Sequence, residues 1–190
     1  MDKLTYRLAN ENDAQKLLSV YSQYIPTTVT FEYVTPTVED FKGRIREFTE
    51  IYPYIICERG DKVVGYAYAH KPFTRAAARW SAELTVYLSN DECGEKIGEI
   101  LYTKLMKLLK MQNVHVVYGV VSSPNPRSER FHERMGFKKS GVFKEAGFKN
   151  GMWCDTVWYE LFLTEMNKAP EEIIPLCDLP YEEVMAIING

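Results

Sequence analysis

Two titratable side chains stand in sequence patterns that could support acid-base chemistry. In residues 81–89, SAELTVYLS, strict alternation places Glu83 on a strand face with polar and aromatic side chains. Such a carboxylate can act as a general base, and it can equally be a solvated or paired group. The segment SERFHERM reads as a helix that places His132 on one face with Ser128. Histidine titrates near neutral pH, so His132 is a candidate acid or base, with a structural or exposed histidine as the alternative.

The cysteines do not form a recognisable metal or disulfide pattern. The chain has four, at Cys57, Cys93, Cys154 and Cys177, with no CxxC pair and no histidine at ligand spacing. Neither a zinc site nor a disulfide framework is therefore expected. Cys57, within the apolar run YPYIICERG, is predicted to be a small buried residue.

Composition narrows the class of protein. The chain has 190 residues, 46% of them hydrophobic and 26% charged, with a net charge of -3. These values are typical of one globular domain and lack the basic excess that binding to a phosphate backbone requires. No apolar run reaches the roughly 20 residues of a membrane span, and the first residues do not resemble a signal peptide. We therefore expect a cytoplasmic protein that binds neither nucleic acid nor membranes.

Strand and helix patterns alternate along the chain and would position these side chains. They follow the order β, α, α, β, β, β, α, β, α, β, β, which predicts a mixed α/β fold. Asn12 or Asp13 is expected to cap the first helix, and Asn125 with Pro126 to begin the last helix of this series. The residues between the first two helices, TTVTFEYVTP, are expected to be β-rich or irregular.

The end of the chain differs from the rest. After Leu163 it contains three prolines and a short amphipathic stretch, YEEVMAII. We expect a single domain over residues 1–165 and a C-terminal extension over residues 166–190. The extension either packs on the domain or on a dimer partner, or it forms a loosely ordered terminus.

Six segments in order resemble one family. They are TTVTFEYVTP, VVGYAYAHKPF, SAELTVYLS, LYTKLMKLL, SSPNPRSERFHERMGF and EAGFKNGMWCDTVWY, and they span most of residues 4–163. Together they resemble the GNAT acyltransferases, and within them the phosphinothricin N-acetyltransferase subgroup. This resemblance implies a central twisted, mostly antiparallel sheet with helices on both faces. It also implies an acetyl-CoA-dependent N-acetyltransferase that uses no metal and forms a homodimer.

The resemblance assigns catalytic roles to residues already singled out. Glu83 matches the general base that takes a proton from the substrate ammonium, and His132 matches the general acid for the departing thiolate. A break in the sheet is implied at this strand, where backbone N–H groups of Val86, Tyr87 and Leu88 bind the thioester carbonyl and the pantetheine. Fixed donors of this kind stabilise a developing oxyanion.

The resemblance also assigns residues that hold the coenzyme. In the family a Gln or Arg precedes a glycine-rich turn whose N–H groups bind the pyrophosphate at a helix N-terminus. Here this turn consists of Cys93, Gly94, Glu95, Lys96, Ile97 and Gly98. Cys93 replaces the Gln or Arg and Lys96 replaces a glycine, while Asn125 and Ser128 match two further coenzyme contacts or serve only as the helix cap and first turn.

For the acceptor, the resemblance points to Phe31, Arg75, Lys149 and Trp153. An arginine can bind two oxygens of a phosphinate or carboxylate at once. Three alanines, residues 76–78, stand where the family usually has a tyrosine, which predicts a reshaped pocket. The alternative for Arg75 is a solvated strand edge.

The resemblance leaves three functions open. The first is transfer of acetyl from acetyl-CoA to the α-amine of phosphinothricin, methionine sulfoximine, methionine sulfone or a similar compound, by direct attack in a ternary complex. The second is a GNAT-fold binding or regulatory protein whose coenzyme binding is impaired by Cys93 and Lys96. The third is acetylation of protein N-termini.

Overall fold

One mixed sheet organises the part of the chain that the structure describes. The computed structural model describes residues 3–92, 95–165 and 169–190, and in them seven strands pair in the order β1-β2-β3-β4-β5-β7-β6. The strands are β1 (Leu4–Leu8), β2 (Tyr54–Arg59), β3 (Lys62–His70), β4 (Ser81–Leu88), β5 (Val116–Ser123), β6 (Lys138–Lys149) and β7 (Met152–Phe162). The β4–β5 pair is parallel and the others are antiparallel. The predicted mixed, mostly antiparallel sheet is confirmed.

Helices cover both faces of the sheet, as predicted. They are α1 (Ala14–Tyr21), α2 (Val38–Thr49), α3 (Ile97–Met111), α4 (Pro126–Arg134) and α5 (Tyr181–Asn189). On one face α3 buries Leu101, Leu105 and Leu108 completely. On the other face α1 and α2 bury Leu17 and Ile45 against tyrosines of β2 and β3. Burying an aliphatic side chain stabilises the fold by about 1.5–3 kcal/mol, so both helix layers are firmly attached.

The first helix begins earlier than its sequence pattern indicates. Asn10 is the cap residue of a short 3-10 turn over Glu11–Asp13, and α1 continues from it. The Asn10 side chain accepts a hydrogen bond from the backbone of Asn12, while Asp13 accepts one from the backbone of Asn10. Asp13, one of the two predicted cap residues, directly precedes α1, but its side chain makes no cap hydrogen bond there and instead forms the returning half of the Asn10 capping box.

The connection between α1 and α2 is irregular in structure, one of the two outcomes expected for it. It is anchored on the β6–β7 hairpin by Lys149, whose ammonium donates to the carbonyls of Thr30 and Glu32 at 2.6 and 2.7 Å. Asn150 donates to the carbonyl of Pro26 at 2.9 Å. These bonds satisfy loop backbone groups that would otherwise be unpaired.

The C-terminal segment packs on the domain. Val184 and Ile188 of α5 are buried in the core around α3. Lys104 of α3 donates to the carbonyl of Ile187 at 2.8 Å, and Gln112 donates to the carbonyl of Ile174 at 2.9 Å. The described helices include none with the length and apolar character needed to cross a membrane.

Candidate active site

The sheet opens into a fork between β4 and β5. The last residues that pair across this parallel ladder are Leu84 and Gly119. Both strands continue beyond that point, β4 to Leu88 and β5 to Ser123. Each diverging strand therefore presents backbone groups toward the gap that its neighbour no longer satisfies.

The amides of Val86 and Leu88 point into this gap. Ser89 donates its N–H to the carbonyl of Val64 on the β3 side, at 2.8 Å. Successive residues of a strand direct their N–H groups to opposite sides, so Tyr87 also points toward β3 and Val86 and Leu88 point away from it. Consistently, the Leu88 carbonyl accepts a bond from the hydroxyl of Tyr24 at 2.6 Å. Of the three amides expected to bind a thioester, the gap thus receives two.

A cavity of about 500 Å³ continues from the fork to the N-terminal ends of α3 and α4. Its volume is within the range of small-molecule sites. Residues from β4, from both helices and from the connection after α1 line it, among them Val86, Leu88, Lys96, Gly98, Asn125, Ser128 and Phe131. Three arginines of α4 also line it, namely Arg127, Arg130 and Arg134. Glu92, Glu95 and Glu99 line it as well, so the cavity combines an apolar wall with a rim of mixed charge.

The turn before α3 has two unusual features. Lys96 is the cap residue of α3 and adopts a left-handed conformation, with φ 56° and ψ 21°. Arg59 binds both Glu95 and Glu92, at 2.9 and 3.0 Å, and offsets one of their two negative charges. The predicted coenzyme contacts Cys93 and Gly94 lie outside the described residues.

Glu83 lies one residue before the fork and opposite His70 of β3. These residues are register partners, and the His70 Nε2 and Glu83 Oε1 atoms are 3.6 Å apart. The Glu83 side chain retains 20% of its exposure. Phe48 stacks on both Tyr68 and His70 with centroid distances of 5.1 Å. The carboxylate is thus held beside an aromatic wall and remains accessible to a small amine.

His132 lies under the cleft and is buried, with 4% of its surface exposed. Its Nδ1 donates to the Ser128 carbonyl at 2.9 Å, and its ring stacks on Tyr159. Burial lowers the pKa of His132 below its ordinary value, although the bond to Ser128 acts in the opposite direction. The neighbouring Phe131 lines the cavity and also packs on Tyr102 of the core.

The four residues predicted to bind the acceptor lie in different environments. Phe31 packs its ring on Gly147 of β6, where any side chain would collide with it. Lys149 is buried and bound to the two carbonyls that flank Phe31, so its ammonium anchors this loop. Trp153 is 57% exposed and contacts Phe148 edge to face. Arg75 is exposed in the loop between β3 and β4.

Several residues of this site were missed by sequence reasoning. Arg59 and His70 matter because they pair with carboxylates distant in the sequence. Tyr102 donates to the Leu84 carbonyl at 2.9 Å, at the base of the fork. Knowing the pairing register of β3 and β4 would have placed His70 opposite Glu83. The sequence does not determine this register, because the connection between the two strands is long.

Comparison with known proteins agrees with this geometry. Residues 6–158 match the family model described as an acetyltransferase (GNAT) domain. A phosphinothricin N-acetyltransferase of Streptomyces viridochromogenes is 31% identical over 175 residues, covering 91% of this chain and 94% of that protein. An L-methionine sulfoximine/L-methionine sulfone acetyltransferase of Pseudomonas aeruginosa is 29% identical, covering 86% of this chain and 97% of that protein.

A solved structure gives the same result. The crystal structure of a GNAT superfamily phosphinothricin acetyltransferase from Sinorhizobium meliloti, in complex with AcCoA, has a TM-score of 0.85. It is 29% identical, and the match covers 90% of this chain and 96% of that chain. The resemblance inferred from the ordered motifs is confirmed. With the forked sheet and the matched residues 6–158, these findings identify the chain as an acetyltransferase of the GNAT family.

Proposed function

We propose that this protein transfers acetyl from acetyl-CoA to the α-amine of a small amino-acid-like compound of the phosphinothricin, methionine sulfoximine or methionine sulfone type. The observation that carries the proposal is the fork, which points the amides of Val86 and Leu88 into a gap one residue beyond Glu83. The names of the relatives from Streptomyces viridochromogenes and Pseudomonas aeruginosa support the acceptor class.

Glu83 is proposed as the general base. An amine with a pKa near ~10 is protonated at neutral pH, and only its free lone pair attacks a thioester. Glu83 takes this proton first, and the freed lone pair then bonds to the acetyl carbon to give a tetrahedral oxyanion. The oxyanion collapses as the carbon–sulfur bond breaks, and the second proton of the nitrogen leaves to solvent. Direct attack in a ternary complex requires that the amine and the thioester meet beside Glu83, and Val86 of the same strand lines the cavity.

The amides of Val86 and Leu88 are proposed to donate to the thioester oxygen, where negative charge develops. Loss of one such donor in other acyl-transfer sites costs about 2.7–4 kcal/mol. The amides are fixed by the β3–β4 ladder, so they need no rearrangement during the reaction. Tyr87 contributes its ring to the aromatic cluster with Tyr21 and Tyr24.

The coenzyme is proposed to lie along the cavity from the fork to the start of α3. Gly98 and Ile97 stand in the first turn of that helix, where N–H groups favour an anion. Lys96 supplies positive charge at the same end, and Asn125 and Ser128 line the opposite wall. Arg59 supports this placement because it offsets part of the negative charge of Glu92 and Glu95 beside the phosphate path.

For the departing thiolate, the position of His132 favours release as the anion. Nδ1 carries the hydrogen that bonds the Ser128 carbonyl, and a lowered pKa leaves Nε2 without a proton at neutral pH. A thiol with a pKa near ~8.5 gives a fairly stable anion that solvent can protonate. We therefore propose that His132 shapes the floor of the cleft, and a His132→Gln variant that loses turnover without losing stability would restore its role as the acid.

A homodimer is proposed through the surface around the β6–β7 hairpin. This hairpin exposes Phe143, Phe148, Met152 and Trp153 by 43–61%, next to the exposed Val34 of the loop after α1. Neighbouring exposed apolar side chains of this number are typical of interaction surfaces. Light scattering that gives a monomer mass would contradict the dimer without affecting the catalytic proposal.

The first experiment is calorimetric titration of acetyl-CoA into the purified protein. Micromolar binding is expected, followed by thiol release with methionine sulfone, phosphinothricin or methionine sulfoximine. No binding near millimolar coenzyme would favour the GNAT-fold binding or regulatory protein. Turnover with peptides and none with free amino acids would favour acetylation of protein N-termini.

The base is tested by Glu83→Gln, with Glu39→Gln on the exposed side of α2 as the matched control. We expect Glu83→Gln to lower kcat at neutral pH and to lose less at high pH, where the amine is already free. Glu39→Gln should behave as the wild type. An unchanged pH–rate profile in Glu83→Gln would refute the assignment.

A further inference from the structure

His70 has a contact with Glu83 that the proposed mechanism does not yet use. The two residues are directly opposed across the β3–β4 ladder, which fixes their backbones relative to each other. Their side chains lie on the same face of the sheet, with Nε2 and Oε1 3.6 Å apart. Each side chain is partly buried, with 24% exposure for His70 and 20% for Glu83. Because both side chains are partly buried, solvent and salt screen their interaction less than that of an ion pair on the surface.

The other ring nitrogen of His70 fixes its tautomer. Nδ1 lies 3.2 Å from the carbonyl oxygen of Lys71, which can only accept a hydrogen bond. Nδ1 therefore carries a hydrogen in either charge state of the ring. In the neutral ring the lone pair is then on Nε2, directed at the Glu83 carboxyl group. One additional proton between these atoms completes the contact.

We propose that His70 is the positioning residue for Glu83 and the acceptor of the proton that Glu83 removes from the substrate ammonium. The inference rests on the proposed function and adds a second proton transfer to it. An N–H bond of the ammonium breaks as an O–H bond forms on Glu83. That O–H bond then breaks as an N–H bond forms at His70 Nε2, and the imidazolium, whose side chain keeps 24% exposure, gives the Nε2 proton to a water molecule after the product leaves.

The surroundings of His70 favour this use. Phe48 of α2 stacks on the ring at 5.1 Å with an interplanar angle of 23°, which limits its rotation. Tyr68 lies 5.8 Å away on the same strand. The charged groups that face the ring are the carboxylates of Glu83 and, from α2, Glu47. Moving the Nε2 and Oε1 atoms into hydrogen-bond distance requires a shift of under about 1 Å.

The direction of the pH dependence follows from these groups. Burial of the ring lowers the pKa of His70, but Glu83, the Lys71 carbonyl and Glu47 more than offset it and raise it above its ordinary value. Below that pKa the imidazolium is paired with the carboxylate and cannot accept a proton. Above it, neutral His70 accepts the proton from Glu83. Turnover should therefore rise with pH through a midpoint above the ordinary histidine value.

The kinetic test compares the wild type with His70→Gln and His70→Phe. Glutamine keeps a polar group beside Glu83 and phenylalanine keeps the stacking on Phe48, but neither accepts a proton. Both variants should have a kcat at least about tenfold lower, and their pH–rate profiles should lack the rise with pH assigned to His70. The dissociation constant of acetyl-CoA should be unchanged. If both variants keep the wild-type kcat and the wild-type pH–rate profile, the proposal is overturned.

A second measurement does not require turnover. The chain has three histidines, so the His70 ring signals in an NMR titration can be assigned from the His70→Gln spectrum. We expect the pKa of His70 to fall in Glu83→Gln and to stay at its wild-type value in Glu39→Gln. In its neutral form the His70 ring should carry its hydrogen on Nδ1. A His70 pKa that is insensitive to Glu83→Gln would overturn the inference.

The proposed function and the proposed proton transfer to His70 can be refuted separately. A wild-type protein that binds no acetyl-CoA and releases no thiol would refute the proposed function, and the second proton transfer with it. An active wild type whose pH profile does not depend on His70 refutes the proton transfer alone. The NMR titration then shows whether His70 and Glu83 form an ion pair of structural importance only.

Discussion

Replacing Lys96 separates the cost of its backbone conformation from the benefit of its charge. Lys96 caps α3 with φ 56°, in the left-handed region where a Cβ atom is unfavourable. The resemblance places a glycine here, which has no such cost. Lys96→Gly and Lys96→Ala both remove the ammonium, and they differ only in the presence of Cβ. The comparison between these two variants isolates the backbone term.

The expected magnitude follows from two opposing terms. A residue with a Cβ in the left-handed region costs about 1–2 kcal/mol. About 0.4–1 kcal/mol of this advantage of glycine is offset, because a glycine gives the unfolded chain more conformational freedom. The Lys96→Gly variant should therefore have a free energy of unfolding about 1 kcal/mol greater than Lys96→Ala. For a domain of this size, this corresponds to a Tm higher by roughly 2–4 °C.

Urea unfolding and calorimetric acetyl-CoA titration provide the two readouts. If Lys96 binds the pyrophosphate by its charge, both variants should bind acetyl-CoA several-fold more weakly than the wild type, and added salt should reduce this difference. Tighter binding by Lys96→Gly would instead show that Cβ obstructs the turn. Equal unfolding free energies for the two variants would refute the reasoning on backbone strain.

Three further changes test the packing around the site. Gly119→Ala introduces a methyl group that overlaps the buried His132 ring and should cost about 1–3 kcal/mol in urea unfolding, with recovery in Gly119→Ala/His132→Ala. Additive losses in that double variant would contradict the overlap. Lys149→Met should lower the unfolding free energy by about 1–3 kcal/mol because two loop carbonyls lose their donor, whereas a rise in the acceptor KM at unchanged stability would indicate substrate contact. Arg59→Met should weaken acetyl-CoA binding in calorimetry because two carboxylates beside the cavity lose their cation, and unchanged affinity would contradict this.

Local patterns were sufficient to predict the order of helices and strands and to place Glu83 on the polar face of its strand. Alternation in SAELTVYLS places Glu83 on one face, and this depends only on the geometry of an extended chain. The side-chain cap at Asn10 was not predicted, because Asn10, Asn12 and Asp13 are all suitable cap residues. Which of them caps depends on where β1 ends, and β1 ends where it does because it pairs with β2.

The sequence by itself determined the family, the alternating helix and strand pattern, the buried Cys57 and the base candidate Glu83, since these depend on residue types and short spacings. Tertiary structure decided the rest, including the fork after Leu84 and Gly119 and the pairing of Glu83 with His70. It also buried His132 and Lys149, although the sequence marked both as site residues. The physical reason is that strand register and helix docking are set by contacts between residues far apart in the chain. Those contacts determine which polar side chain faces a ligand and which one satisfies a buried backbone group.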